Sequence, residues 1–247
     1  MRSLLVGLYL VIFLVFGLPV LAIEWLIAKV NPNAADKSQL WMVQHALRFV
    51  MFLSGVKLEV IGEEHVPKDE SVLYIGNHRS YFDIVITYAR VPRLTGYIAK
   101  NSINKIPSLR IWMKRVHCLF LDRDDMRQGL QIILSAIEQM KQGISICIFP
   151  EGTRCTDPDP TVVNTFKEGS FKIATKSGHK IIPMAITGTE HIFEEHLPWI
   201  KSTKVTLQYG KPIDPTTLSK EEQKHIGAYT QKVIEQMLKE QVARQSQ

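Results

Sequence analysis

Hydrophobic positions follow two regimes along this chain, and the change comes at Gly55. Before it, residues 4–23 form an uncharged run of twenty residues; as a helix rising about 1.5 Å per residue, that run is long enough to cross a hydrocarbon core. Val20-Leu21-Ala22 has the form of a signal cleavage site, so a secretory signal is the competing reading. The run is longer than the roughly 7–15 apolar residues of such a signal, and a further apolar stretch, residues 25–28, lies beyond Pro19. Residues 31–38 are polar and turn-like. Leu40, Trp41, Val43, Leu47, Val50, Met51 and Leu53 then recur at helical spacing, interrupted by Gln44, His45 and Arg48. That pattern predicts a second helix, lying in the interface or packed on the first. Residues 1–54 thus read as a membrane-associated helix or a two-helix hairpin, and a crossing and a one-leaflet insertion fit equally. If the first helix crosses, Lys29, Lys37 and Arg48 against Arg2 place the remainder on the cytoplasmic side.

From residue 55 to 247 the apolar pattern switches between periods of two and 3.6. Residues 57–61 alternate as a strand, 72–75 form a short buried strand, and 84–89 a helix. Strands at 97–99 and 118–121 flank a short helix after Pro107. Residues 126–142 form an amphipathic helix with Leu130, Ile133, Leu134 and Ile137 on one face and Gly143 as its stop. A buried strand at 144–149, a short helix at 171–176, strands at 181–186 and 205–209, and a closing amphipathic helix at 221–241 complete the series. Such alternation predicts an α/β fold, a mostly parallel sheet flanked by helices on both faces. No repeat, low-complexity tract or interdomain linker interrupts it, and Asp157-Pro158-Asp159-Pro160 marks a rigid surface loop.

Ligands of such sheets collect beyond the C-terminal ends of the strands. Two segments with chemistry follow strands there: residues 77–83, Asn-His-Arg-Ser-Tyr-Phe-Asp, and residues 149–154, Phe-Pro-Glu-Gly-Thr-Arg. On one straight helix His78 and Asp83 would point roughly 140° apart. With His78 in the turn and Asp83 in the first turn of the next helix they can meet, and a carboxylate that orients an imidazole makes a general base. A loop histidine beside a helix-starting aspartate is the plainer account of the same residues.

Composition narrows the chemistry little. A formal charge of +6 suits an anionic membrane, a phosphorylated substrate, an acidic protein or a nucleic acid; no nucleic-acid module, P-loop or G-x-G-x-x-G is present. Between residues 84 and 121 there are seven Lys or Arg and no Asp or Glu, interleaved with Ile111, Trp112 and Met113. This reads as a solvated basic face or one that meets lipid headgroups. Arg123 and Arg154 each follow a strand on the predicted active edge, and the planar guanidinium suits phosphate. Cys118, Cys147 and Cys155 form no paired framework, which favours a reducing compartment. No base lies near Cys155. His191, Glu194, Glu195 and His196 resemble H-x-x-E-H with one residue too many, so they leave one helical face and imply no metal. Residues 143–147 lack the second glycine of a nucleophile elbow, so no serine nucleophile of that kind is indicated.

The form N-H-x-x-x-x-D at 77–83, followed by F-P-E-G-T-R at 149–154, closely resembles the glycerolipid acyltransferase family, which includes 1-acylglycerol-3-phosphate acyltransferases. Over residues 60–186, Ala99-Lys100, Ile106-Pro107, Phe120-Leu121-Asp122-Arg123 and Ile182-Pro183-Met184-Ala185 are similar to further family blocks. The resemblance implies that His78 is the base and Asp83 its orienting partner. It also implies that Arg123, Glu151, Gly152, Thr153 and Arg154 bind the acceptor's glycerol phosphate and that Lys100 assists at the oxyanion. It implies no cofactor beyond a co-substrate, the acyl thioester of coenzyme A or acyl carrier protein; the other partners are membrane lipids and a lysophospholipid acceptor. The product is then phosphatidic acid, made by esterifying the 2-hydroxyl of 1-acylglycerol 3-phosphate. Ser102-Ile103, Arg110 and His117 depart from the family pattern, the last two standing where glycine is usual, and leave another lysophospholipid or glycerol 3-phosphate as the alternative acceptor. A non-catalytic, membrane-tethered basic docking protein would explain the anchor and the charge but not F-P-E-G-T-R.

Overall fold

The computed structural model describes residues 1–123 and 125–245. Helix α1 (Arg2–Val30) runs through Pro19 without a break, and α2 (Pro32–Ser54) returns along it. Asn31 turns the chain: its side chain accepts the Ala34 N–H, and Pro32 sits in the first turn, where a missing N–H costs nothing. The carboxylate of Glu24, buried in the hairpin, accepts bonds from Ser38 Oγ at 2.7 Å and Gln39 Nε2 at 3.2 Å.

Strand β1 (Lys57–Ile61) leads to β2 (Leu73–Gly76), α3 (Tyr81–Tyr88), β3 (Thr95–Lys100), α4 (Pro107–Arg115) and β4 (Leu119–Leu121). Then come α5 (Met126–Lys141), β5 (Ser145–Ile148), α6 (Lys172–Ser177), β6 (Ile181–Thr187) and β7 (Lys204–Tyr209), closed by α7 (Lys220–Lys224) and α8 (Ile226–Gln245). The strands make one sheet in the order β1-β7-β6-β2-β5-β3-β4. Every pairing is parallel except β6 with β7. Because β7 and β1 run against the rest, their first residues, Lys204 and Lys57, lie at the edge where β6, β2, β5, β3 and β4 end.

Central strands β2, β5 and β6 are buried throughout, as strands covered on both faces must be. Side chains alternate between two cores, Tyr74 and Cys147 with Phe82 and Ile86 of α3 on one face, and Leu73, Ile75 and Ile146 with Met140 of α5 and Ile234 of α8 on the other. The α1–α2 hairpin lies along the first face. Ser108 Oγ donates to Leu14 O at 2.6 Å, Gln44 Nε2 to Val91 O at 2.7 Å, and Arg48 Nε to Ala89 O at 3.1 Å.

Several details depart from expectation. The closing helix is two, broken at His225: a capping box of Ser219 and Glu222 starts a short first piece, and the Glu168 carboxylate accepts the Gly227 and Ala228 N–H groups at the start of the second. α3 begins three residues early for the same reason, with Ser80 and Asp83 forming its box. Trp112, in the basic stretch read as a solvated face or one that meets headgroups, is 3% exposed: its indole stacks on Phe13 of α1 at 5.0 Å and packs against Gly17, where a Cβ would stand 3.0 Å from Nε1. The outward side of α1, including Leu4, Leu8, Val11 and Phe16, is exposed and apolar. A helix this long and apolar is consistent with membrane association.

Candidate active site

Asn77 anchors the turn after β2 by pairing with both backbone groups of Ile186 in β6: Nδ2 donates to its O at 2.9 Å and Oδ1 accepts its N–H at 2.8 Å. His78 follows in that turn. Its Nδ1 lies 2.8 Å from Oδ2 of Asp83, which sits in the first turn of α3. Oδ2 also accepts the N–H groups of Arg79 at 2.7 Å and Ser80 at 2.8 Å, and Oδ1 accepts Thr189 Oγ1 at 2.6 Å. Asp83 is 1% exposed, so the donors around it replace water, and a buried carboxylate so surrounded is held in one orientation. With Oδ2 an acceptor only, Nδ1 carries the proton and Nε2 is left as the basic nitrogen. The imidazole stacks on Phe149 at 4.6 Å between centroids, which fixes its plane.

The turn after β5 is stitched to the histidine turn through backbone groups. Glu151 Oε1 accepts the His78 N–H at 2.6 Å, its Oε2 accepts the Asn164 N–H at 2.8 Å, and Cys155 N–H donates to His78 O at 2.7 Å. Glu151 is 4% exposed, and burial pushes its carboxyl up to about 7 against the pull of those hydrogen bonds. The side chain assigned to substrate by resemblance is thus turned to backbone donors and ties the two loops together. Gly152 has φ of +76°, and a Cβ there would meet Lys167 Nζ at 3.0 Å, so the position suits glycine twice over.

Thr153 and Arg154 line a cavity of about 590 Å³ together with Arg79, Glu190, His191 and Glu194. Arg154 Nη1 donates to Glu194 Oε1 at 2.9 Å, and its guanidinium lies 4.2 Å from the ring centre of Tyr81. Arg79 is buried and reaches the carbonyls of Asp157, Asp159 and Val162, strapping down the Asp-Pro-Asp-Pro loop. Burial raises the carboxyl of Glu190 above its ordinary value.

Arg123 and Lys100 stand apart from this cluster. β5 and β3 separate β4 from β2, so at about 4.8 Å per strand Arg123 is on the order of 14 Å across the sheet from the histidine turn, and Lys100 about 10 Å. Both are exposed, and among the described residues Lys100 shares no hydrogen bond or ion pair with His78 or Asp83. A crevice of about 40 Å³ joins Arg123 to Gly152, Phe149 and Lys167. His117, one of the departures from the family pattern, takes φ of +60° and pairs with Asp36 of α2 at 3.1 Å, outside the site.

Four residues here were given no part in this site by the sequence. Thr189, Glu194 and Lys167 come into it from loops after β6 and β5, and nothing in their sequence context points to it. Arg79 stands inside the motif, yet nothing in its spacing marks it as a strut. Glu194 belonged to the histidine-glutamate cluster read as an imperfect metal motif; its carboxylate faces Ser80, Tyr81 and Arg154.

Residues 57–187 match the family model described as Acyltransferase. The chain is 31% identical over 185 residues to the 1-acyl-sn-glycerol-3-phosphate acyltransferase of Borreliella burgdorferi, covering 75% of this chain and 73% of that one. It is 28% identical over 200 residues to the Saccharomyces cerevisiae protein of the same name, covering 80% and 64%. The crystal structure of the 1-acyl-sn-glycerophosphate acyltransferase of Thermotoga maritima superposes with a TM-score of 0.76 at 27% identity, covering 97% of each chain. An oriented histidine, a second loop bonded to its backbone and these similarities agree: the chain is an enzyme of the acyltransferase family.

Proposed function

We propose that the chain transfers a fatty acyl group from a thioester, of coenzyme A or acyl carrier protein, to the 2-hydroxyl of 1-acylglycerol 3-phosphate. The observation that carries this reading is the contact of His78 Nδ1 with an Asp83 carboxylate already bonded by three other donors. His78 Nε2 takes the proton as the hydroxyl oxygen attacks the thioester carbonyl. The tetrahedral intermediate collapses, the carbon–sulfur bond breaks, and the departing sulfur receives that proton from the imidazolium. Ester and thiol are the products, and no acyl-enzyme intervenes. Arg154 and Arg123 are the cations for the acceptor's phosphate, and the similarity to named 1-acylglycerol-3-phosphate acyltransferases supports that choice of acceptor.

The hairpin seats the enzyme on the membrane that holds its acceptor and product. Contacts to the α/β body at Leu14, Gln44 and Arg48 favour both helices lying along that body and entering one leaflet; were the first helix to cross instead, its flanking cations would put the body on the cytoplasmic side.

Mass-spectrometric product analysis of the purified chain, across lysophospholipids, glycerol 3-phosphate and both donor types, tests the reaction. Phosphatidic acid from 1-acylglycerol 3-phosphate is the expected product. His78→Ala should lower kcat by about 10³-fold or more while vesicle binding persists. Ester formation undiminished in that variant rules out the mechanism.

A further inference from the structure

We infer that Glu194 is a positioning residue that holds Arg154 in place for the acceptor's phosphate and locks it to the turn that carries the base. The inference rests on the reading of Arg154 as a phosphate ligand.

Glu194 makes three bonds, each to a different part of the site. Its Oε1 accepts Arg154 Nη1 at 2.9 Å and the Tyr81 N–H at 2.8 Å, and its Oε2 accepts Ser80 Oγ at 2.6 Å. Ser80 and Tyr81 open α3, whose first turn holds Asp83 against His78. One carboxylate from the loop after β6 therefore joins the F-P-E-G-T-R loop to the histidine turn. It is 17% exposed, so its bond to Arg154 is only partly screened. The Tyr81 ring supports the guanidinium from a second direction, at 4.2 Å. Only Nη1 of Arg154 has a hydrogen-bonding partner among the described residues, so the remaining N–H donors are available to an anion. A free arginine side chain loses rotamer entropy when it captures phosphate; one already held on two sides loses less, and the difference appears as acceptor affinity. The negative charge of Glu194 opposes an incoming phosphate. Its three-way bonding assigns it the task of placing Arg154 rather than of touching the acceptor.

A double-mutant cycle on the full chain in lipid vesicles tests this, with 1-acylglycerol 3-phosphate and phosphate-free 1-acylglycerol as acceptors. Glu194→Ala should raise KM for the phosphorylated acceptor about tenfold, a loss of about 1.4 kcal/mol, with kcat within about threefold. In the Arg154→Ala background the same change should add less than about twofold, because a residue that acts through another has nothing left to place. Glu194→Gln keeps an acceptor for Arg154 and Tyr81 and offers an N–H to Ser80 Oγ, so it should recover KM to within about threefold. KM for the phosphate-free acceptor should not move. Additive losses in the cycle, a glutamine variant as poor as alanine, or an equal loss with both acceptors would overturn the assignment. If the alanine variant does not fold, Glu194→Asp, which withdraws the carboxylate by one methylene, replaces it in the cycle with the same expected sign. Turnover by the unaltered chain is the separate measure of the reaction: its absence ends both readings, whereas lost coupling ends only that of Glu194.

Discussion

The two flanks of the active edge are built differently. On the β2–β6 flank, His78 is held through Asp83, Thr189, Glu151 and Asn77 by hydrogen bonds of 2.6–2.9 Å, all four partners being less than 5% exposed. On the β3–β4 flank, Lys100 and Arg123 are exposed cations at the ends of strands, and Arg123 lines a crevice of about 40 Å³. Proton transfer needs a base fixed to within a few tenths of an ångström, and only burial with every polar group bonded provides that. Attraction of a phosphate acts over a longer range and tolerates mobile side chains. One flank thus has the build of a reaction centre and the other that of a landing surface.

Three changes would sharpen or break that contrast. The largest effect is expected from Asp83→Asn: even with its amide oxygen facing His78, Arg79 and Ser80 and its nitrogen donating to Thr189 Oγ1, it lacks the negative charge that stabilises the imidazolium formed as His78 takes the proton. kcat should fall by about 10²–10⁴-fold; steady-state assays in which the variant keeps full kcat would remove the rigid flank from the chemistry. Next, Arg123→Ala should raise acceptor KM about tenfold with kcat nearly unchanged, and a kcat defect instead would place Arg123 within the reaction centre.

The third change bears on stability rather than turnover, through Glu151 and pH. Its carboxyl is raised by burial from 4.5 to about 7, so between those values the unfolded chain has released a proton that the folded chain retains. The contribution of this group to stability is therefore greatest below about pH 4.5, declines as pH rises to about 7 and is level above, by at most about 3 kcal/mol. Glu151→Gln does not titrate. The stability difference, unaltered chain minus variant, should shrink across pH 5–7 in denaturant unfolding; a difference independent of pH would show that the charged carboxylate is fully compensated by its two N–H donors.

The hydrophobic pattern made the strands and the long helices legible because period two and period 3.6 are local properties. The boundaries at α3 and α7 moved because capping boxes, Ser80 with Asp83 and Ser219 with Glu222, outweighed the apolar pattern. The placing of Trp112 is not local for a different reason: whether an indole faces water, lipid or a glycine on another helix depends on a partner 95 positions away, Gly17. The site divides in the same way. His78, Asp83, Glu151 and Arg154 stand in motifs that can be read in one dimension, whereas Thr189, Glu194 and Lys167 are ordinary loop residues until the sheet brings three loops to one edge.

By itself, then, the sequence determined the class of fold, the apolar N-terminal segment and the two loops that matter, since each is written in contiguous residues. Only the tertiary structure decided that the Glu151 carboxylate is turned to backbone donors of two loops, that Glu194 ties Arg154 to the histidine turn, and that Lys100 and Arg123 lie strands away from the base. Those are consequences of strand order and of which buried donors find which acceptors, and neither follows from distance along the chain.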